Sequence, residues 1–224
     1  MSTTAVPDKQ ARRDALVMAA LKHVPFDGWT MAALQRAATD AGQAAHEAEM
    51  LFAGGVPEAV AHFVAMADRL MVEDYAKLET AKLKHREKIA GIVRARLERW
   101  TPHREAVRRA LALSPMPSMA GRTLKGAYAT VDTMWKAVGD KSIDFSFYTK
   151  RALLAGVYGS TLLFWLEDRS EGCAATWAFL DRRIDNVMQV PKLRSRITER
   201  LEKLPTPGRA LAKLTGLRSG RRTV

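Results

Sequence analysis

The chain has 224 residues, 47% of them hydrophobic, which is enough for one large domain or two small ones with a buried core. Its formal net charge is +12, but residues 1–80 carry 7 basic and 11 acidic side chains, whereas residues 191–224 carry 10 and 2. The single cysteine excludes an internal disulfide and a cysteine-based metal cluster, and no apolar run reaches the roughly 18 residues of a membrane-spanning helix. The amino end has no apolar segment typical of a secretory signal, so we expect a cytoplasmic protein.

The periodicity is helical throughout, because apolar residues recur at helical spacing and strand-like alternation is absent. Pro25 is expected to stop the first helix, Thr30 to act as the N-cap of the second, and Pro57 to lie in the first turn after "FAGGVP". The sequence "SPMPS" at 114–118 predicts a loop. The fold is therefore predicted to be all-α, with helices at about residues 8–24, 31–41, 43–51, 57–80, 81–100, 101–113, 119–138, 144–167, 173–190, 191–203 and 209–218.

Residues 15–65 predict a helix, a turn, a short helix, a second turn and another short helix, ending in "LFAGGVPEAVAHF". This layout resembles the DNA-binding part of the TetR family of repressors. A recognition helix needs side chains that donate to bases and phosphates, yet the third helix reads "QAAHEAEML" and brings Glu47 and Glu49. Phosphates would repel these two carboxylates, so we predict a TetR-like scaffold with a degenerate helix-turn-helix that binds no nucleic acid. A TetR-type ligand-responsive transcriptional regulator is the alternative.

The sequence lacks the usual patterns of catalysis and cofactor binding. The chain has five histidines, and none follows a glutamate at the Glu-x-x-His spacing that places two iron ligands on one helix face. There is no Gly-x-Ser-x-Gly elbow, no phosphate loop and no dinucleotide fingerprint. We therefore predict a protein that is not an enzyme, with no catalytic residue, no metal and no cofactor.

The stretch 152–166 contains no charged side chain, and Gly156 and Gly159 lie inside it. At helical spacing, one stripe of this helix begins with Phe145 and Tyr148 and continues through small residues. Small residues let a second helix approach closely, or they leave room for a ligand if the neighbouring helix keeps its distance. Composition alone favours a core over a pocket. Neighbouring segments add apolar and aromatic side chains that suit either interpretation: Trp135, Trp177, Leu180 and Ile184.

Residues 134–158 read "MWKAVGDKSIDFSFYTKRALLAGVY", a long and unusual pattern of Met-Trp, Gly-Asp, Asp-Phe, Tyr-Thr and Arg-Ala. This region resembles the signature of a coenzyme Q (ubiquinone) biosynthesis family, the lipid-binding accessory proteins numbered ninth in that pathway. Similar segments lie elsewhere in the chain, including "HVPFDGWT" at 23–30, "WAFLDRRIDNVM" at 177–188 and "LTGL" at 214–217. The resemblance extends from about residue 15 to residue 220.

The resemblance implies a TetR-like helical bundle, a homodimer, and neither DNA binding nor catalysis. It implies that the protein binds an isoprenoid lipid or ubiquinone precursor in an apolar cavity and presents it to the di-iron demethoxyubiquinone hydroxylase. The uncharged part of the 144–167 helix would form a wall of that cavity. The residues assigned to lipid binding are Leu153, Leu154, Val157, Tyr158, Leu162, Trp177, Leu180 and Ile184.

The resemblance also implies a surface patch that docks the hydroxylase. Matched residue by residue, this docking patch comprises Asp132, Met134, Trp135, Phe147 and Tyr148. The mitochondrial relatives are expected to have Trp where this chain has Phe147, so the indole N–H donor is missing here. Those relatives also carry an amino-terminal presequence that this sequence lacks, and a bacterial protein is therefore expected.

The segment "GRALAKLTGLRSGRR", residues 208–222, predicts a short basic amphipathic helix after a "PTPG" linker. Such helices lie reversibly in the membrane interface, so we expect a peripheral protein of the inner membrane. The predicted organisation is a helix-turn-helix region at 1–80, a lipid-binding and docking region at 81–204, and a linker with the membrane helix at 205–224. The predicted membrane-binding residues are Arg209, Leu211, Lys213, Leu214, Leu217 and Arg218.

Overall fold

The computed structural model describes residues 8–140 and 146–187, and all regular structure in these two ranges is helical, which confirms the all-α prediction. The helices are α1 Lys9–Ala20, α2 Val24–Asp27, α3 Met31–Asp40, α4 Glu47–Leu51, α5 Gly55–Ala76, α6 His85–Glu98, α7 Arg104–Leu113, α8 Pro117–Ala137 and α9 Ser146–Glu167. Residues 174–187 are also helical. Within the two described ranges, no helix is long and apolar enough to cross a membrane. The helices predicted at 191–203 and 209–218, and the N-cap predicted at Asp144, lie outside those ranges.

Two prolines place helix ends differently from the sequence prediction. α1 ends at Ala20, and Pro25 lies in the first turn of α2, where its missing N–H removes no helical hydrogen bond. Pro117 likewise begins α8 inside the segment predicted as a loop. Thr30 is the N-cap of α3 as predicted, because its side chain accepts from the Ala33 backbone N–H at 3.1 Å.

The amino-terminal helices α1 to α4 pack through small and aliphatic side chains. Alanines at the α1–α3 contact allow the two helix backbones to approach closely. Ion pairs at the surface link α1 to α4 and α5. Arg12 of α1 pairs with Glu47 of α4, and Arg13 pairs with Glu58 of α5. The buried residues at this contact, each at most 2% exposed, include Leu16, Val17, Ala33, Leu34 and Ala37.

The long helices α5, α6, α8 and α9 carry the main core. α5 packs on both α6 and α8, and α8 packs on α9. The rings of Trp29 and Phe63 lie 5.3 Å apart, and those of Phe63 and Trp100 lie 4.9 Å apart. The Trp29 indole N–H donates to the Ala106 carbonyl at 2.9 Å. This aromatic chain joins the amino-terminal helices to α5 and α7, and buried rings of this size dominate the energy of a core.

A single carboxylate organises the turn that follows α9. Asp168 accepts from the backbone N–H and hydroxyl of Ser170 at 2.8 and 2.6 Å, and from the same groups of Thr176 at 2.8 and 2.5 Å. Burial alone would raise the pKa of Asp168, but these hydrogen bonds hold it well below its ordinary value. The turn therefore depends on an ionised side chain.

Residues up to Asp181 form one compact unit, and a second unit begins at Arg182. The predicted division at residue 80 falls between α5 and α6, which pack against each other inside the first unit. The three regions predicted from the sequence stay a prediction about function.

Candidate functional site

A cavity of about 410 Å³ lies between α5, α6, α7, α8 and α9. Its walls are mainly apolar, and wall residues recur at helical spacing, as Tyr158, Leu162 and Trp165 do along α9. This volume falls in the range of about 300–1,000 Å³ typical of small-molecule sites. The other apolar wall residues include Val60, Phe63, Leu97, Trp100, Leu111 and Met119.

A buried ion pair has one partner, Arg96, in the cavity wall. Arg96 on α6 is 7% exposed, and its Nε donates to Asp68 Oδ1 of α5 at 3.1 Å. The Thr130 hydroxyl of α8 lies 2.9 Å from both oxygens of Asp68 and donates to that carboxylate. Burial raises the pKa of Asp68, against the opposing effects of Arg96 and Thr130. Burial also raises the pKa of the Tyr158 phenol in the same wall.

The rim of the cavity is basic and contains one glycine. Arg122 and Lys125 on α8 line the cavity and are exposed to solvent. Gly126 follows them, and a Cβ at this position would meet the Val64 side chain at 3.6 Å, an ordinary contact distance. The absence of a side chain at Gly126 therefore contributes to the open volume.

Ion pairs clamp α8 against α9 across the signature region. Arg151 of α9 is 5% exposed, and its Nε and Nη2 lie 2.8 and 2.6 Å from Asp132 Oδ1 of α8. Lys136 lies 2.6 Å from the other Asp132 oxygen, and Lys150 lies 2.8 Å from Asp140. Burial alone would raise the pKa of Asp132, but hydrogen bonds from Lys136 and Arg151 hold it below its ordinary value.

Sequence comparison places this region in a known family. The COQ9 family model matches residues 120–191, which contain the clamp and all of α9. Rat "Ubiquinone biosynthesis protein COQ9, mitochondrial" is 34% identical over 182 residues, covering 78% of this chain and 58% of the rat protein. The Drosophila melanogaster protein of the same name is 34% identical over 195 residues, covering 84% and 60%. The chain belongs to the COQ9 family. It spans about three fifths of the length of these curated relatives.

The fold has a counterpart among bacterial regulators. The crystal structure of the TetR transcriptional regulator from Nitrosomonas europaea ATCC 19718 matches with a TM-score of 0.66 at 19% identity, over 80% of this chain and 98% of the regulator. At this identity the match shows a shared fold, which confirms the TetR-like prediction for this COQ9-family chain.

The predicted docking patch lies only partly at the surface. Met134 is 0% exposed and Trp135 is 8% exposed, so the expectation that both lie at the surface is wrong. The Trp135 ring stacks on His85 at 5.4 Å, and its N–H donates to the Lys150 carbonyl at 3.2 Å. These two residues belong to the buried stripe of α8. Of the other three, Tyr148 is 70% exposed, the Asp132 carboxylate pairs within the clamp, and the Phe147 side chain lies outside the described part of the structure.

Two of the eight predicted lipid-binding residues, Tyr158 and Leu162, line the cavity. Leu154 and Val157 are buried at 3% and 4% exposure, and Leu153 is half-buried. None of these three belongs to the cavity wall: Leu154 shares the stripe of Tyr158 and Leu162 but lies one turn nearer the start of α9, while Leu153 and Val157 lie on other sides of the helix.

The remaining predicted residues come from the segment 173–190, and they do not line this cavity either. The Trp177 indole N–H donates to the Gly172 carbonyl at 2.8 Å, and the Arg94 guanidinium lies 4.9 Å from the centre of the Trp177 ring. Leu180 is buried, and Ile184 is a buried residue of the second unit. The described wall of the cavity comes from α5 to α9.

Sequence reasoning missed Arg96, Trp100 and Trp165, which all line the cavity. The sequence did contain a signal for Trp165, because its position continues the helical spacing of Tyr158 and Leu162 on α9. No comparable signal existed for α6, because only the tertiary fold brings Arg96 and Trp100 to α9. The six predicted membrane-binding residues lie outside the described ranges, and that assignment stays a prediction.

Among the described residues, the face of α9 that is turned away from the cavity is open. Tyr148 and Leu163 are 70% and 63% exposed on it, and a Cβ added at Gly156 or Gly159 would meet no described heavy atom within 4 Å. The small-residue stripe predicted from the sequence therefore contacts no other helix in the described part of this chain.

Proposed function

We propose that this chain is a non-catalytic accessory protein of ubiquinone biosynthesis. It binds an isoprenoid quinone precursor in the cavity between α5 and α9 and presents it to the di-iron demethoxyubiquinone hydroxylase. The observation that carries the proposal is the cavity itself: a chain of the COQ9 family, whose relatives are named for ubiquinone biosynthesis, contains about 410 Å³ of mostly apolar space. The precursor's long apolar tail suits such walls, since each buried CH₂ contributes about 0.8 kcal/mol.

A matched pair of variants on α8 tests the cavity assignment. Gly126→Leu places a side chain into the cavity beside Val64, whereas Gly121→Leu places the same side chain where no described atom lies within 4 Å. Both changes remove a glycine from a helix interior and so alter helix propensity equally, by about 0.5–1 kcal/mol.

The assay is organic extraction of protein purified from ubiquinone-producing cells, followed by mass spectrometry. We expect a polyprenyl quinone or precursor with wild type and Gly121→Leu, and at least fivefold less with Gly126→Leu. Absence of any isoprenoid from the wild-type protein, or equal yields from the two variants, would count against the cavity as the lipid site.

The partner surface of this proposal centres on Tyr148. It is the exposed member of the predicted docking patch, and the clamp of Asp132 with Arg151 beneath it fixes the start of α9. Exposed tyrosines on a rigid support are frequent energetic centres of protein interfaces. Met134 and Trp135 support this surface from the core and are not expected to touch the hydroxylase.

The open face of α9 supports a homodimer. Leu163, Gly156 and Gly159 form an apolar strip that a second copy could cover while Tyr148 stays available to the hydroxylase, because small residues permit close helix contact. Gly156→Arg should convert the dimer to a monomer in light-scattering measurements. Met18→Arg adds the same charge to an exposed site on α1 and should leave the mass unchanged. A dimeric mass for Gly156→Arg would mean that the copies meet elsewhere.

A transcriptional regulator is a weaker candidate. Residues 37–68, which include α4, contain no Lys or Arg. Glu47 pairs with Arg12, and Glu49 accepts from Gln35 at 2.8 Å, so carboxylates lie where a recognition helix would need donors. Sequence-specific, high-affinity binding to the DNA upstream of its own gene at physiological salt would reverse this ranking.

A further inference from the structure

We propose that the exposed face of the first half of α8, residues 117–130, is a membrane contact that lies in the interface of an anionic lipid bilayer beside the cavity rim. This α8 surface is separate from the tail at 208–222, to which the sequence analysis assigns membrane binding. Its use as a route into the cavity rests on the proposed function, whereas the lipid contact itself does not.

Helical spacing divides the first half of α8 into two opposite faces. The residues of the inner face line the cavity: Met119, Thr123, Gly126 and Thr130. The residues of the outer face are exposed and uncharged: Pro117, Ala120, Gly121, Leu124, Ala127 and Tyr128. Leu124 is 75% exposed, and Tyr128 is 50% exposed. Single exposed leucines are common on protein surfaces, but a continuous apolar face along one helix is typical of an interaction site.

The charged side chains beside this face are all basic. Residues 106–131 contain no Asp or Glu. Arg122 and Lys125 lie at the boundary between the two faces of α8, and both are exposed. Two arginines of α7 in the same segment pair with glutamates, whereas no described carboxylate pairs with Arg122 or Lys125. An anionic bilayer is the complementary partner, because its phosphates attract both cations and meet no carboxylate that would repel them.

The order of side chains across α8 fits a bilayer better than a protein partner. Leu124 lies in the middle of the outer face, Tyr128 follows one turn later, and the cations lie along one edge. At a membrane interface, leucines enter the acyl region, tyrosine rings lie at the level of the head groups, and long basic side chains extend to the phosphates. A protein partner would need carboxylates at two matching positions, whereas a bilayer offers phosphates along the whole edge.

The α8 surface and the cavity share an edge, because Arg122 and Lys125 also line the cavity. A ligand with an apolar tail can therefore pass from the bilayer into the cavity without full exposure of that tail to water, which is unfavourable. One helix face with two cations is too small to hold the chain on a membrane by itself. The predicted tail helix would supply the attachment, and the α8 surface would turn the cavity rim toward the lipid.

A dye attached to single engineered cysteines tests where the full-length protein touches lipid. Nitrobenzoxadiazole on Leu124→Cys is compared with the same dye on Met50→Cys, which replaces a 63% exposed side chain of α4. The natural Cys173 is buried, and a wild-type sample treated in the same way corrects for its labelling. On vesicles of phosphatidylcholine and phosphatidylglycerol, we expect at least about twofold brighter, blue-shifted emission at position 124, with quenching by nitroxide lipids. The emission at position 50 should not change.

The vesicle affinity of full-length variants measures how much the surface contributes. Leu124→Gln should weaken binding about 3- to 10-fold, and Met50→Gln, its control, should bind like wild type. Joint replacement of Arg122 and Lys125 by Gln should weaken binding to anionic vesicles about 10- to 30-fold and leave binding to pure phosphatidylcholine unchanged.

A second double variant controls for net charge. Lys9→Gln with Lys22→Gln removes the same charge from exposed positions near the amino end, and we expect a loss of less than about 3-fold. Equal losses from the two double variants would mean that only net charge matters, and the α8 surface would then be wrong.

The remaining outcomes separate this inference from the proposed function. If wild type binds vesicles while the dye at position 124 stays in water, α8 makes no lipid contact, but the cavity assignment stands on its own mass-spectrometric test. If the dye is already shielded before vesicles are added, the chain or a second copy covers this face and the inference is wrong. It is also wrong if Leu124→Gln loses the hydroxylase yet binds vesicles like wild type, because the face would then belong to a protein interface. If wild type binds no vesicles, the α8 surface and the predicted tail contact both fail.

Discussion

Met134→Ala and Tyr148→Ala separate the fold from the proposed docking surface within one signature region. Met134 lies in the buried stripe of α8 at 0% exposure, with Val131, Trp135 and Val138 as neighbours in register, whereas Tyr148 is 70% exposed on α9. Truncating a buried methionine leaves space in a close-packed core that relaxes only in part. Such truncations cost about 2–5 kcal/mol, and exposed substitutions usually stay within about 0.5 kcal/mol.

For Met134→Ala we expect a loss of about 3 kcal/mol, because the side chain is fully buried but the neighbouring helices can partly close around the gap. In a chain of this size, about 1 kcal/mol corresponds to roughly 2–4 °C, so the melting midpoint should fall by roughly 6–12 °C. Tyr148→Ala should melt like wild type but weaken hydroxylase binding by about 10-fold or more.

Circular dichroism melts and co-purification with the hydroxylase measure the two effects separately. A wild-type melting midpoint for Met134→Ala would refute the reasoning, since it would mean that α8 presents a different face to the core. A low midpoint for Tyr148→Ala would make that residue structural. Unchanged co-purification of Tyr148→Ala would remove it from the docking surface.

Three further predictions concern the clamp, the turn after α9 and the tail. Arg151→Met should cost about 1–3 kcal/mol in urea denaturation because it removes two donors from the partly buried Asp132, which keeps its pairing with Lys136, and a loss below about 0.5 kcal/mol would mean that the clamp is dispensable. The pKa of Asp168 is lower in the folded chain than in the unfolded one, so its stabilising contribution is complete above about pH 4 and is lost as the pH falls further. Melting midpoints between pH 7 and pH 3 (roughly the span of carboxylate titration) should therefore fall more steeply for wild type than for Asp168→Asn, and parallel curves would contradict this. Deleting residues 206–224 should abolish sedimentation with anionic liposomes while leaving the protein folded, and full-length protein should be partly released by high salt. Unchanged sedimentation of the truncated chain would place the membrane contact elsewhere, for instance at the basic segment 82–99.

The sequence was sufficient for most of the described helices and for the fold class because their signals are local. Spacing of apolar residues, the cap at Thr30 and the glycine and proline positions all act within a few residues of chain. Even the corrections at Pro25 and Pro117 concern which side of a helix end a proline occupies. The TetR-like arrangement followed from the order of short and long helices in the first 65 residues.

The cavity could not be located in this way because its chemistry is assembled over long distances in the chain. Arg96 and Asp68 are 28 residues apart, and Thr130 lies 62 residues from Asp68. Resemblance to a family identified the signature but not its orientation, so Met134 was placed at the surface although its register on α8 buries it. Knowing which residues form a motif does not determine which face of the helix carries them.

Because α9 presents one set of residues to the cavity and another to the outside, its length is as constrained as its composition. Tyr158, Leu162 and Trp165 line the cavity, while Gly156 and Leu163 face outward, so cavity-lining and outward-facing residues alternate within two turns. Inserting one residue near position 153 would rotate everything beyond it by about 100° and turn both surfaces away from their present directions. An insertion of about seven residues, close to two full turns, would restore the direction but displace it by about 10 Å along the axis. Substitutions in α9 can therefore accumulate one side at a time, whereas insertions and deletions alter both sides at once.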